Sequence, residues 1–127
     1  MKRIVLISCV AKKGKVKAKA KDLYKGPLFK NSYGYAQKLN PNKIFILSAL
    51  HGLLDVDQEI EPYDCTLASI SKNKRKEGLV VLDRKEKEQW GKRVIEQLSK
   101  EASLQTDEFI ILAGKEYINP IKDSLPN

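Results

Sequence analysis

Three short runs decide most of what this chain can become: Arg-Ile-Val-Leu-Ile-Ser from Arg3 to Ser8, Lys-Ile-Phe-Ile-Leu-Ser from Lys43 to Ser48, and Glu-Phe-Ile-Ile-Leu from Glu108 to Leu112. An extended segment points successive side chains to opposite faces, so runs that are apolar throughout need cover on both faces. That is the condition of strands in a parallel sheet. Helical patterns fill the intervals. Gly26-Pro27 opens the first, with Pro27 suited to the first helical position, and Leu28, Phe29, Tyr33, Ala36 and Leu39 follow at helical spacing until Asn40-Pro41. The second begins at Asp83, with Glu86 three residues on in a capping-box pattern. Trp90, Val94, Ile95 and Leu98 then share one of its faces.

Strand, helix, strand, helix, strand predicts an α/β fold: three layers, a mainly parallel sheet and right-handed βαβ crossovers, in effect a minimal Rossmann-like domain. A length of 127 residues fits a single domain spanning 1–127. Other segments are less patterned. The lysine-rich stretch to Asp22 has no apolar face and reads as a long loop or a poorly ordered arm. Residues from His51-Gly52 to Pro62 read as an acidic, turn-rich loop. Ser69 to Glu77 suggests a short helix, Leu79 to Leu82 a small strand or core plug, and a last helical turn or two begins near Lys115. The end at Leu125-Pro126-Asn127 shows no obvious final strand, which suits a minimal or truncated version of such a fold.

Charge narrows the partners. The net charge is +8, and most of it comes from seven lysines between Lys12 and Lys25, opposed by Asp22 alone. A second cluster runs from Lys72 to Lys76. Such local excess points to an anionic partner, with nucleic acid first in line, and Lys13, Lys15, Lys17, Lys19 and Lys21 are the candidate phosphate contacts. No apolar run approaches the roughly eighteen residues that cross a bilayer, and the start shows no signal-peptide pattern. A cytoplasmic protein with no membrane partner is expected, with Cys9 and Cys65 as free thiols. Those cysteines lack metal-type spacing and His51 is the single histidine, so no metal site and no cofactor are expected.

Ligands in open parallel sheets sit beyond the carboxyl ends of the strands. That rule converges Ser8-Cys9-Val10-Ala11-Lys12-Lys13, Ser48-Ala49-Leu50-His51-Gly52 and Ala113-Gly114-Lys115. Cys9, Lys12 and His51 are the candidate catalytic groups. Ser8, Tyr24, Ser48, Gly52, Tyr63, Asp64 and Gly114 are the candidate ligand contacts, the glycines because a bare backbone N–H can approach a ligand closely. Each has a plainer reading. Cys9 can be a small buried hydrophobe, His51 a turn residue, Ser8 and Ser48 strand ends bonding local backbone, and Asp64 a cap. No phosphate-loop motif and no glycine-flanked nucleophile elbow occurs.

Four segments in order carry a resemblance: Ser8-Cys9-x-x-Lys12-Lys13, Asp22-Leu23-Tyr24-x-x-Pro27-Leu28-Phe29, Leu47-Ser48-Ala49-x-His51-Gly52-Leu53-Leu54 and Glu61-Pro62-Tyr63-Asp64-x-Thr66-Leu67. From Ile4 to about Gly114 the chain resembles the bacterial and phage domain of unknown function 6884, and through it the YaaA peroxide-stress superfamily. The extra residues around Asn73 to Val81 and the early end depart from that pattern. A more distant likeness links the Cys-x-x-Lys segment to the archaeosine synthase domain, which acts on a deazaguanine base in transfer RNA. The resemblance implies nucleobases or nucleic acid. A small nucleobase- or nucleotide-binding domain is therefore expected, working as a base-modifying or glycosidic-bond enzyme. The alternatives are a non-catalytic DNA- or RNA-binding module of the YaaA-like kind, or a subunit acting only beside a partner.

Overall fold

A computed structural model describes residues 1–126. The first apolar run forms β1 (Arg3–Ser8), the centre of a four-stranded sheet. Ile4, Val5, Leu6 and Ile7 all lose their solvent contact there, as a strand apolar on both faces must. The chain then passes through β2 (Ala18–Lys19), the short helix α1 (Ala20–Leu23) and the longer helix α2 (Pro27–Lys38). It returns in β3 (Lys43–Ser48), parallel to β1 with Ser8 opposite Leu47. Helix α2 packs against β1. Asn42 clamps the entry, its side chain accepting from the Arg3 N–H at 2.7 Å while its own N–H bonds the Arg3 carbonyl at 2.8 Å.

The sheet is mixed rather than all-parallel. A tight turn after β3 leads into β4 (Gly52–Asp55), which runs antiparallel to β3 with Ser48 opposite Gly52. Where the sequence predicts a loop from His51 to Pro62, the structure has this strand. Only Leu53 and Leu54 mark it, too short a run to register. Then come β5 (Glu59–Ile60), β6 (Cys65–Thr66), a single 3-10 turn at Lys72–Lys74 and β7 (Val80–Val81), which pairs parallel with β6. The short helix expected between Ser69 and Glu77 reduces to that one turn. Helix α3 (Arg84–Ser99) starts at Asp83 with both capping-box bonds formed and packs on β4. Strand β8 (Glu108–Leu112) lies parallel to β1 and ends the sheet, giving the order β4-β3-β1-β8. Helix α4 (Lys115–Ile118) follows.

The lysine arm is not a loose loop. Ala20, Leu23 and Tyr24 are fully buried, an apolar plug inside a run of lysines. β2 pairs antiparallel with β5, and the Ala20 and Lys21 N–H groups donate to the Gln58 and Val56 carbonyls at 2.8 and 2.9 Å. Lys21 pairs with Asp57 at 3.0 Å. The acidic loop from 55 to 60 therefore docks the basic arm, which sequence periodicity does not reveal because the contact is tertiary. No helix among the described residues is long and apolar enough to cross a membrane.

Candidate functional site

The carboxyl ends of β1 and β3 lie side by side, tied by the Cys9 N–H donating to the Leu47 carbonyl at 3.1 Å. Behind these ends sits a hydroxyl cluster. Ser48 is fully buried, and its Oγ lies 2.7 Å from the Tyr63 hydroxyl and accepts the His51 N–H at 3.1 Å. The Tyr63 and Tyr24 hydroxyls bond each other, and the Trp90 indole N–H donates to the Ser48 carbonyl at 2.8 Å. Burial pushes both phenols well above their ordinary pKa, so they stay protonated at any working pH.

In front of this cluster opens a cavity of about 580 Å³. One wall is Cys9, Val10, Ala11 and Lys13 from the turn after β1, with Leu28 of α2 beside it. The other wall is Asp64, Cys65, Thr66, Ala68, Ile70, Lys74, Lys76 and Leu79. Tyr117 of α4 lies beside Cys9, hydroxyl to Sγ at 3.4 Å. Lys13 reaches in with its Nζ 4.4 Å from the Tyr63 ring centre and 5.7 Å from that of Tyr24. Burial lowers the Lys13 pKa, against the opposing pull of Cys9 and Asp64. Asp64 pairs with Lys76 at 2.8 Å, and that hydrogen bond holds its carboxyl below the usual range, so the carboxylate is ionised at neutral pH. Burial raises the Cys65 thiol. Leu28, 73% exposed, places an apolar side chain at the edge of the opening.

Of the residues singled out in the sequence, Cys9, Lys13 and Asp64 line this cavity, while Tyr24, Tyr63 and Ser48 brace it from behind. The rest lie elsewhere. Lys12 is exposed and offers its carbonyl to the Lys25 N–H at 2.8 Å. The Ser8 hydroxyl donates to the Cys9 carbonyl at 2.9 Å. His51 is half-buried behind Tyr63, its ring edge-on at 5.4 Å, with Nε2 buried and unpartnered among the described residues. Burial, then the Arg93 charge, lowers its pKa. Gly52 has φ +76 and sits so close to α3 that a Cβ would fall 2.4 Å from Gln97 Oε1. Gly114 is exposed before α4. Lys15, Lys17 and Lys19 are exposed on the arm, and Lys21 is taken by Asp57.

On the second wall, sequence reasoning singled out Asp64 alone. Lys74 and Lys76 belonged to a recognised charge cluster, and Tyr117 lies three residues past Gly114, so signals existed for them. Thr66 stands in the Pro62-Tyr63-Asp64-x-Thr66 segment of the resemblance, and no signal existed for Cys65, Ile70 or Leu79. Among the described residues no group of three or more His, Cys, Asp or Glu is placed to hold a metal ion.

A family model, described as a family of unknown function (DUF6884), matches residues 4–127. No curated protein and no solved structure matches the chain.

Proposed function

We propose that this chain, which belongs to the DUF6884 family, binds a nucleotide, with the base against the apolar part of the cavity and the phosphate on Lys74 and Lys76. One observation carries this reading. Two lysine clusters far apart in sequence supply Lys13 from one and Lys74 and Lys76 from the other to the lining of a single, otherwise mainly apolar cavity. Small-ligand pockets are typically apolar with a few placed polar groups and measure roughly 300–1,000 Å³, a range that includes this one. Val10, Ile70 and Leu79 suit the faces of a heteroaromatic ring, ammonium groups suit a phosphate, and the Asp64 carboxylate suits a sugar hydroxyl. Cys9 Sγ, Cys65 Sγ and Lys13 Nζ are nucleophilic atoms at the cavity. They support chemistry on the base or at the glycosidic bond as the reaction class.

Calorimetric titration with nucleosides and their monophosphates tests the reading. Monophosphates are expected to bind and matching nucleosides to bind at least about tenfold more weakly, since a hydrogen bond to a charged group contributes about 1.5–3 kcal/mol. The double substitution Lys74→Ala/Lys76→Ala should erase the difference, and Lys92→Ala, on the exposed side of α3, should not. Equal binding of nucleosides and monophosphates, or binding of neither, would end it.

A second reading, a DNA- or RNA-binding module of the YaaA-like kind, draws support from the exposure of Lys15, Lys17 and Lys19 on a docked arm. The subunit alternative has a single support, the open edge of β8, where Phe109, Ile110, Ile111 and Leu112 are only half-buried.

A further inference from the structure

We propose that Lys13 is a nucleophile toward the sugar of the bound ligand, bonding C1′ and passing through an imine of the opened sugar. The substrate class is then an N-glycoside or the sugar aldehyde derived from it. This inference rests on the nucleotide reading above and deepens it.

Lys13 differs from the other two lysines at the cavity. Lys76 is exposed and paired with Asp64, and Lys74 is exposed in its 3-10 turn. Lys13 is half-buried, forms no ion pair among the described residues, and donates only to the Ala11 carbonyl two residues back, at 3.3 Å. The Tyr63 ring lies under the nitrogen and is anchored in turn by hydroxyl bonds to Ser48 and Tyr24. A lysine amine attacks only when unprotonated, and desolvation in an apolar pocket is an established way of raising the unprotonated fraction. Burial acts on Lys13 in that direction.

Asp64 supplies the complementary charge. It lies in the same cavity, near enough to Lys13 for each charge to act on the other, and Lys76 keeps it ionised. A fixed carboxylate stabilises the positive charge that grows on a sugar ring as its base departs.

The bookkeeping of atoms closes with water alone. The amine lone pair forms the C1′–N bond, the electrons of the glycosidic bond leave with the base, and the base takes the proton that the amine nitrogen gives up. The C1′–O4′ bond then opens, O4′ gains a proton, and the nitrogen becomes an iminium. Water adds to it, releasing the sugar aldehyde, one proton and the free amine. Nothing is oxidised or reduced.

Ribose 5-phosphate with sodium cyanoborohydride is the probe, because reduction traps an imine permanently at the lysine that formed it. Peptide mapping of the native protein should place the adduct on Lys13 about tenfold or more above Lys15 and Lys17, as expected when a cavity holds the reacting groups together. Adenosine monophosphate should protect Lys13 and leave Lys15 and Lys17 unprotected. Lys13→Arg should lose the favoured adduct. Labelling spread over the surface lysines according to exposure would overturn the proposal. If the native protein binds nucleoside monophosphates and Lys13 is still not favoured, the imine fails and the nucleotide reading survives. If no monophosphate binds, both fall.

Discussion

Ser48 is where single side chains matter most, because three bonds meet at one buried residue and a fourth extends from its partner. Its hydroxyl faces Tyr63 and the His51 N–H, its carbonyl accepts from Trp90, and Tyr63 passes the network on to Tyr24. Tyr63→Phe keeps the ring beneath Lys13 but leaves the Ser48 and Tyr24 hydroxyls short of a partner. A buried polar group left unsatisfied costs about 1–3 kcal/mol, so the urea midpoint should fall while the denaturant slope stays unchanged. A variant as stable as the native protein would mean that water or a rearrangement satisfies both hydroxyls. His51 belongs to the same neighbourhood but titrates. Its pKa is lowered in the folded chain, first by burial and then by Arg93. Below the ordinary histidine value, about 6.5, the unfolded chain therefore binds the proton more readily. Stability should fall as pH drops from there, on top of any carboxylate titration at lower pH. His51→Gln, which cannot titrate, should flatten that part of the profile. An identical slope in the variant would assign the acid loss to other groups. His51 also separates fold from function, since its backbone bonds Ser48 and Gln97 while its Nε2 bonds nothing among the described residues.

Whether an element can be read from sequence depends on whether its burial leaves a local pattern. β1 and β3 could be read because each is apolar on both faces, α2 because Pro27 and Asn40-Pro41 bound it, and α3 because Asp83 and Glu86 form the box that their spacing predicts, with bonds of 2.8 and 2.9 Å. β4 stayed hidden because it is a short antiparallel edge next to acids. The docked arm stayed hidden because the segment holding the buried Ala20, Leu23 and Tyr24 is pinned by β5, far along the chain, which no local period records. The candidate site divided along the same line. The turn after β1 follows from the rule for parallel strand ends, whereas the wall from Asp64 to Leu79 is built from two-residue strands and one 3-10 turn. Helix α3 offers a test of packing at this scale. A Cβ on Gly91 would lie 2.4 Å from the Pro120 carbonyl oxygen, a contact with backbone that has little room to yield. Gly91→Ala gains about 1 kcal/mol of helix propensity. It also overpacks a site where such insertions cost about 1–3 kcal/mol, so a lower thermal midpoint is expected. A raised midpoint would show that the Tyr117–Ile121 segment shifts freely away from α3.

At the scale of the whole molecule, the question is whether its positive charge serves one site or two. The +8 net charge is concentrated in the arm and in the 72–76 cluster, and Lys13 from one and Lys74 and Lys76 from the other line the same cavity. Lys15, Lys17 and Lys19 are exposed and lie outside the cavity lining, so they act on a ligand only through the long-range field. A polyanion lying along the arm would release counterions in proportion to the phosphates contacted, with log K falling by about 0.9 per contact for each decade of salt on duplex DNA. Weak binding to duplex DNA is therefore expected at low salt, fading steeply toward physiological strength. The triple substitution Lys15→Gln/Lys17→Gln/Lys19→Gln should lower that slope by up to about three contacts. The same variant should leave adenosine monophosphate affinity at moderate salt nearly unchanged, because none of the three lysines lines the cavity and salt weakens the reach of exposed charges. Parallel losses of DNA and monophosphate binding would mean that a single extended surface does both jobs. Absence of DNA binding even at low salt would leave the arm as the solvated, docked cover of β5, with the cavity as the functional surface.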